Sequence, residues 1–178
     1  MHIAVRDAEA DDFEAIQRIH AFYVLRSLST FEDVPPTVHD LQSRWRSARA
    51  QALPYLVADI DGAVAGYAYA SAYRPRPAYR YTIEDSICVA NGLVGRGIGR
   101  ALLKELLRRS AGGPWRQMIA VITRNARASI ALHERFGFHH AGTLTAVGFK
   151  LGGWADTVLM QRGLGSGHRT PPGAGLSI

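Results

Sequence analysis

Residues 83–89, Ile-Glu-Asp-Ser-Ile-Cys-Val, and residues 94–103, Val-Gly-Arg-Gly-Ile-Gly-Arg-Ala-Leu-Leu, decide how this chain folds. The first segment predicts a short strand, and the second predicts a glycine-rich turn that opens an amphipathic helix. The apolar residues of that helix follow the spacing of one buried stripe: Ile98, Leu102, Leu103, Leu106 and Leu107. Gly95, Gly97 and Gly99 have no side chains, so the N–H groups of the turn and of the helix N-terminus can converge on an anion. The stretch therefore predicts a phosphate cradle.

Two familiar phosphate-binding motifs do not match this turn. A nucleoside-triphosphate loop ends in Gly-Lys-Ser/Thr, whereas Gly97 is followed by Ile98. A dinucleotide fingerprint needs glycine at its sixth position, which is Arg100 here, and it usually lies near the start of a βαβ unit. The turn therefore either holds the phosphates of another cofactor or uses its glycines for backbone geometry alone.

Length and composition favour one domain, which we place at residues 1–162, with residues 163–178 as a tail expected to be disordered. No apolar run approaches the ~20 residues of a membrane span, and no signal-peptide pattern is visible, so we expect no membrane contact. Cys88 is the single cysteine, which fits a cytoplasmic protein. The net charge of +6 is spread out, without a dense basic run and interleaved aromatics. An anionic small molecule is therefore a better partner than nucleic acid.

Periodicity along the rest of the chain predicts the order β-α-α-β-β-β-α-β-α-β-β, an α/β fold with a mixed sheet and helices on both faces. Thr37 and Asp40 predict a capping box at the start of the second helix. Residues 27–36 lack periodicity and predict a loop that borders a site. Residues 147–154 are expected to join two final strands. His20 lies on the apolar face of the first helix and is interpreted as a packed core histidine rather than a catalyst.

Residues 95–99 of the glycine turn and residues 131–138, Ala-Leu-His-Glu-Arg-Phe-Gly-Phe, resemble the corresponding segments of GNAT-superfamily N-acetyltransferases. More narrowly, the chain resembles the phosphinothricin and methionine sulfoximine acetyltransferases. The segments that carry this second resemblance are residues 30–32 (Thr-Phe-Glu), 67–70 (Tyr-Ala-Tyr-Ala), 74–76 (Arg-Pro-Arg), 83–86 (Ile-Glu-Asp-Ser), 147–150 (Val-Gly-Phe-Lys) and 153–156 (Gly-Trp-Ala-Asp). It extends over residues 3–162 and implies the GNAT fold, a central, mixed, mostly antiparallel sheet with helices on both faces.

The resemblance implies acetyl-CoA as the acetyl donor, no metal, and a homodimer. In such a protein the pantetheine arm pairs with a strand backbone, here that of Ile87, Cys88 and Val89, where the strand separates from residues 118–122. The family's cofactor positions fall on these further residues: Gly95, Arg96, Gly97, Ile98, Gly99, Arg100, Ser129 and His133. Arg96, Arg100 and Arg124 either meet the phosphates or are solvated surface residues.

One position departs from the family pattern. Relatives often carry an asparagine three residues before the small residue at 129, where this chain has Ala126. Asn125 lies one residue earlier. It either reaches the pantetheine through a local adjustment or the hydrogen bond is absent.

The implied chemistry is direct acetyl transfer to an amine, which must lose a proton before it attacks. Glu84 is the expected base, acting through water, with Asp85 as a substitute; alternatively, Glu84 only pairs with an arginine such as Arg80. The N–H of Val89 is expected to bind the oxyanion. His133 either protonates the departing thiolate, or only contacts the cofactor or packs the helix.

The implied acceptor is the α-amino group of a small amino-acid analogue of the phosphinothricin, methionine sulfoximine or methionine sulfone type. Arg74, Arg76 and Lys150 supply positive charge for its carboxylate and its side-chain oxygens. Phe31 and Trp154 are expected to form walls, and Glu32 to receive the amino group. The remaining substrate positions by resemblance are Pro75, Glu84, Asp85 and Ser86. A transferase for a polyamine or a protein N-terminus, and a non-catalytic acetyl-CoA binder, stay open as alternatives.

Overall fold

The computed structural model describes residues 2–172. Its strands are β1 (Ala4–Asp7), β2 (Tyr55–Ile60), β3 (Ala63–Ala72), β4 (Thr82–Val89), β5 (Gln117–Thr123), β6 (His139–Lys150) and β7 (Gly153–Gly163). Its α-helices are α1 (Phe13–Arg26), α2 (Val38–Ala50), α3 (Ile98–Ala111) and α4 (Arg127–Arg135), and single turns of 3-10 helix cover Ala10–Asp12 and Pro77–Tyr79. This order of strands and α-helices confirms the order predicted from periodicity.

The strands form one sheet in the order β1-β2-β3-β4-β5-β7-β6. β4 and β5 are parallel, and all other neighbouring strands are antiparallel. Successive residues of β3 point to opposite faces: the Tyr67 hydroxyl contacts His20 of α1, whereas a Cβ at Gly66 would lie 3.2 Å from Ile98 of α3. Helices therefore cover both faces, and the fold that the resemblance implied is confirmed.

The sheet opens between its two parallel strands. The ladder between β4 and β5 ends at the pair Asp85–Ala120, although β4 continues to Val89 and β5 to Thr123. Beyond Asp85 the two strands diverge, so the edge of β4 that faces β5 is left without a partner strand. This separation is the feature that the resemblance predicted for the pantetheine arm.

The hydrogen-bond pattern of β4 shows which backbone groups face the opening. The N–H of Ala90 bonds to the carbonyl of Ala65, which makes Val89 and Gly66 a pair that exchanges no hydrogen bonds. By alternation, Val89 and Ile87 direct their N–H and C=O groups away from β3 and towards the opening. Cys88 points its backbone groups to Tyr67 of β3 instead. Of the three residues expected to pair with the pantetheine, only Ile87 and Val89 offer their backbones.

The glycine turn and α3 have the predicted conformation. Gly95 and Gly97 have φ angles of 84° and 85°, which side-chain-bearing residues rarely adopt. The N–H of Ala101 bonds to the carbonyl of Gly97, so the preceding N–H groups at the start of α3 have no partner within the helix. The predicted apolar stripe is buried: Ile98, Leu102, Leu103, Leu106 and Leu107. In contrast, Gly99 has an ordinary helical conformation.

The last part of the domain differs from the expected boundaries. Residues 147–154 belong to β6 and β7, apart from the turn at Leu151 and Gly152. The register of β6 against β7 shifts between Leu144 and Gly148, and Ala146 has a φ of 52°. This irregularity interrupts the alternation of inward and outward side chains by which the sequence would have revealed β6 as one long strand. Beyond β7, Leu164 is buried and its N–H bonds to the carbonyl of Arg116. Residues 173–178 of the expected tail lie outside the described residues.

Among residues 2–172, none of the helices combines the length and the apolar character that crossing a bilayer demands.

Candidate active site

A cavity of about 430 Å³ lies at the opening between β4 and β5. Residues 28–31, α4 and the two diverging strands surround it. Its volume is typical of small-molecule sites. The predicted site residues that line it are Phe31, Glu84, Asp85, Ser86, Ile87, Cys88, Ser129 and His133. The structure thus brings the segments around Glu84 and His133 into one site.

Glu84 and Asp85 are adjacent on β4 and point to opposite faces of the sheet. Glu84 is directly opposite Ser71 of β3, and Ser71 shares a face with Tyr67, which contacts α1. Asp85 points the other way and meets His133 of α4. The two carboxylates are therefore not interchangeable, because they line the cavity from opposite faces of the sheet.

Glu84 has the environment of a candidate proton acceptor. Its carboxylate makes no ion pair within the described residues, and the alternative pairing with Arg80 does not occur there. Burial raises the pKa of Glu84 above its ordinary value, the adjacent carboxyl of Asp85 raises it further, and the charge of Arg74 opposes both effects. A carboxylate with a raised pKa is a stronger base than an exposed one.

Asp85 and His133 form a buried hydrogen-bonded pair. The Nε2 of His133 lies 2.9 Å from Oδ2 of Asp85, and its Nδ1 lies 2.7 Å from the carbonyl oxygen of Ser129. Burial favours the neutral ring, but the hydrogen bond to Asp85 and its charge raise the pKa of His133 above its ordinary value. Both ring nitrogens are thus engaged within the protein.

Tyr23 is a residue of this site that sequence reasoning missed. From the last turns of α1, its hydroxyl donates a 2.6 Å hydrogen bond to the carbonyl of Val89, at the open edge of β4. Tyr23 also lines the cavity, whereas the predicted residue Val89 is not part of its lining. The residue lies on the buried face of the predicted helix, where an aromatic ring looks like ordinary core packing, so no sequence signal marked it.

The glycine turn flanks one end of the cavity. Val94, immediately before the turn, lines it, and the turn residues Gly95, Arg96, Gly97 and Arg100 are exposed around the N-terminus of α3. A strongly anionic group bound at this helix end would meet free N–H groups and the positive end of the helix dipole. These residues therefore fit a pyrophosphate.

Of the other predicted cofactor contacts, some lie at the cavity and others do not. Asn125 is exposed and does not line the cavity, whereas Ala126 does. Arg124 pairs with Asp156 at 3.0 Å. The structure therefore brings Ser129 but not Asn125 to the cavity.

The basic loop of residues 74–76 lies outside the cavity wall and is exposed. Arg74 is near enough to Glu84 for its charge to act on the pKa of that carboxyl, and its guanidinium lies 5.1 Å from the ring centre of Tyr73. Trp154, expected to form a wall, is also exposed, and it packs against Phe149 with ring centres 5.2 Å apart.

Lys150 and Glu32 have partners that the sequence did not indicate. The ammonium of Lys150 is buried and donates to the carbonyls of Ser27 and Thr30, at 2.9 and 2.6 Å. The carboxylate of Glu32 accepts from His20 and, at 2.7 Å, from Arg44. Neither residue lines the cavity. Both side chains therefore hold the loop after α1 in place, where direct contacts with an acceptor had been expected.

His20 is buried, as its position on α1 suggested, and it also lines the cavity. Its ring connects Glu32 of the loop to the Tyr67 hydroxyl, at 2.6 Å. Tyr67 and Tyr69 also line the cavity, and with Tyr55 they form a stack of nearly parallel rings. Their alternate spacing on β3 was a signal for this aromatic face, but sequence reasoning did not use it to place the rings in the site.

Comparison with known proteins gives a consistent set of relatives. The profile of the Acetyltransferase (GNAT) family matches residues 18–138. A phosphinothricin N-acetyltransferase of Alcaligenes faecalis is 48% identical over 169 residues, which cover 94% of this chain and 86% of that protein. An L-methionine sulfoximine/L-methionine sulfone acetyltransferase of Pseudomonas paraeruginosa is 35% identical, over 96% of this chain and 100% of that one. A crystal structure of a Sinorhizobium meliloti phosphinothricin acetyltransferase with AcCoA superimposes with a TM-score of 0.95 at 46% identity, over 99% of this chain and 96% of that one.

Proposed function

The chain belongs to the GNAT acetyltransferase family, and on that premise we propose that it transfers the acetyl group of acetyl-CoA to the α-amino group of a small amino-acid analogue. The proposed acceptors are of the phosphinothricin, methionine sulfoximine and methionine sulfone type, on which its relatives are named to act. The observation that carries this proposal is the position of Glu84 beside the opening of the sheet, as a partly buried carboxylate that makes no ion pair in the described part of the chain.

The residues around the opening suit acetyl-CoA, which supplies the activated acetyl thioester. The N-terminus of α3, with Gly95, Gly97 and Arg100, would hold the pyrophosphate. The backbones of Val89 and Ile87 would pair with the amides of the pantetheine arm as an added strand. Because the phosphate end lies beyond the C-terminal end of β4, the arm runs back along Val89 and Ile87, and the thioester end lies near Asp85.

Glu84 takes the proton of the acceptor ammonium, directly or through a water molecule, in a ternary complex. The N–H of Ile87, the open-edge donor nearer the thioester end, stabilises the oxyanion that develops on the acetyl carbonyl, whereas Val89, which the sequence suggested for this role, lies towards the phosphates. Arg74, close to Glu84, and Arg76 attract the carboxylate of the acceptor, and Phe31 covers its side chain from the loop after α1. Each of these residues acts on a different part of the acceptor or of the acetyl group.

The only thiol in the sequence is a poor candidate for a covalent route. Burial raises the pKa of Cys88 to about 11, so the side chain stays protonated near neutral pH and is a weak nucleophile. We expect Cys88→Ala to keep its turnover within about three-fold of the wild type, because direct transfer needs no thiol on the enzyme. Steady-state rates with both substrates varied would measure this. An acetylated enzyme isolated from the wild type but not from the variant would contradict direct transfer.

The decisive experiment is an amine panel with release of CoA thiol as the readout. We expect turnover with phosphinothricin, methionine sulfoximine and methionine sulfone, and little with spermidine or an N-terminal peptide, since Arg74 and Arg76 disfavour a polycation. Turnover confined to the peptide or the polyamine would remove the proposed acceptor class while keeping the acetyltransferase. Acetyl-CoA binding without turnover of any amine would favour a non-catalytic binder.

We also propose that the chain forms a homodimer in the cytosol. The hairpin of β6 and β7 exposes large apolar side chains: Leu144, Val147, Phe149, Leu151 and Trp154. Such a patch is typical of a surface covered by a partner, and the family resemblance favours a second copy. Sedimentation velocity would measure the assembly. The free thiol of Cys88 suits a reducing compartment.

A further inference from the structure

The buried pair of Asp85 and His133 has a fixed number of protons. The carbonyl of Ser129 can only accept, so Nδ1 of His133 carries a hydrogen and donates to it. A single further proton then lies between Nε2 and Oδ2 of Asp85, because a hydrogen bond joins these two atoms. The pair is neutral as a whole, whichever partner holds that proton. It therefore presents no proton of its own to the cavity.

The other oxygen of Asp85 has no partner. Oδ1 is buried and makes no hydrogen bond within the described residues, although the residue lines the cavity and is only 6% exposed. A buried acceptor without a donor costs free energy, and natural proteins rarely leave one unpaired. Because Nε2 of His133 is already hydrogen-bonded to Oδ2, a donor for Oδ1 has to come from a molecule in the cavity.

We propose that Oδ1 of Asp85 accepts a hydrogen bond from the sulfur end of the bound CoA, and that His133 is a positioning residue that holds Asp85 for this contact. The proposal rests on the proposed function, which puts CoA in the opening. Two donors occur at that end of the molecule: the thiol S–H after transfer, and the pantetheine N–H next to it. Both offer the same chemistry to a carboxylate.

The position of Asp85 along β4 fits this role. It is the last residue of β4 that pairs with β5, directly before the strands diverge. An arm that runs from the N-terminus of α3 along Val89 and Ile87 reaches Asp85 at its far end. The carboxylate thus marks the closed end of the opening, where the sulfur arrives.

This arrangement also assigns His133 a task. Its ring packs edge-on against Phe138, with centres 4.9 Å apart, and Ser129 fixes its tautomer. For His133 to protonate the thiolate, Nε2 would have to leave Asp85. Holding the carboxylate in one rotamer needs no such movement.

Calorimetry with Asp85 variants tests the contact directly. CoA, acetyl-CoA and desulfo-CoA, in which hydrogen replaces the thiol, are titrated into the wild type, Asp85→Asn and Asp85→Ala. We expect Asp85→Asn to weaken CoA roughly ten-fold and Asp85→Ala up to about a hundred-fold, because asparagine offers a weaker acceptor than the hydrogen-bonded carboxyl and alanine offers none. Weakening of CoA alone identifies the S–H as the donor, and equal weakening of all three ligands identifies the N–H. Unchanged affinities for all three would overturn the proposal.

Asp12→Asn is the matched control, since Asp12 is a similarly buried aspartate that pairs with Arg6 outside the cavity. It should lower the melting temperature without changing CoA affinity. If Asp85→Asn does not fold, Asp85→Ala gives the same comparison between CoA and desulfo-CoA. Failure of the wild type to bind CoA at all would instead refute the proposed function.

The positioning role of His133 has its own readout. We expect His133→Asn to weaken the binding of CoA without changing the KM for the acceptor, and to add nothing to the loss of CoA affinity in Asp85→Ala, because the two residues act as one unit. If His133→Asn removes a basic limb from the pH profile of kcat while CoA affinity is unchanged, His133 is the proton donor and the positioning role is wrong.

Discussion

Replacing Glu84 by glutamine is expected to lower kcat by about 10²- to 10⁴-fold, the usual contribution of a general base. Glutamine keeps the size of the side chain and its place on the face of β4 that α1 covers, but it cannot take the proton of the acceptor ammonium. Initial rates of thiol release would measure the loss. The KM for acetyl-CoA should change little, because the carboxylate lies on the acceptor side of the opening.

The pH dependence of kcat/KM provides a second test of Glu84 as the base. A general base acts in its deprotonated form, so if Glu84 is the base, kcat/KM should rise with pH through a pKa that burial and Asp85 raise above the value of an exposed glutamate. This acid limb should be absent from Glu84→Gln. If the pKa of Glu84 is higher in the folded state than in the unfolded state, ionising this carboxyl lowers the stability of the fold at every pH above the unfolded-state pKa. The melting temperature of Glu84→Gln near neutral pH should therefore equal or exceed that of the wild type.

Glu105→Gln is the control, because Glu105 of α3 pairs with Arg108 and Arg109 far from the cavity and should leave turnover unchanged. Full activity of Glu84→Gln would remove Glu84 as the base. In that case Asp85 would be the remaining carboxylate on the cavity wall.

Replacing Lys150 by methionine is expected to lower the free energy of unfolding by about 2 kcal/mol and to raise the KM for the acceptor roughly ten-fold. The ammonium is the shared donor to the carbonyls of Ser27 and Thr30, and methionine leaves both without it. The loop after α1 then loses its tie to β6, and Phe31 loses its fixed position above the cavity. Chemical denaturation and steady-state kinetics would measure the two effects.

The choice of acceptor separates this role from direct substrate binding. If Lys150 acts by holding the loop, Lys150→Met should lower kcat/KM by the same factor for phosphinothricin and for methionine sulfone. If its ammonium contacts the acceptor, the anionic phosphinate of phosphinothricin loses far more than the uncharged sulfone. Lys104→Met, on the exposed side of α3, removes a lysine of the same charge without a loop contact and should change neither quantity.

Local sequence was sufficient for much of this molecule. The glycines of the turn and the apolar stripe from Ile98 to Leu107 specify one strand–turn–helix unit, because φ angles and helical spacing depend only on near neighbours. Thr37 and Asp40 form the capping box at the start of α2 as predicted, with hydrogen bonds in both directions. The register shift before Gly148 concealed the long strands β6 and β7, since it breaks the alternation that periodicity relies on.

Candidate side chains were recognisable by type, but their partners were not. The sequence suggested Glu84 and Asp85 as alternative bases, but it does not show which helix or strand each carboxylate contacts. Only the packing of α4 places His133 beside Asp85, 48 positions away in the chain. Among residues 2–172, Glu84 forms no ion pair. Lys150 likewise bonds to carbonyls more than 100 positions away.

The sequence by itself therefore determined the order of the elements, the glycine turn that opens α3 and the family, since these follow from short-range backbone preferences and contiguous motifs. Only the tertiary structure decided what each charged group is free to do. A carboxylate or an ammonium has several possible partners within a folded chain, and burial makes an unpaired one costly. Which partners it meets depends on strand pairing and helix packing. In this protein that packing leaves Glu84 open to the cavity, engages His133 on both nitrogens and directs Lys150 to the loop.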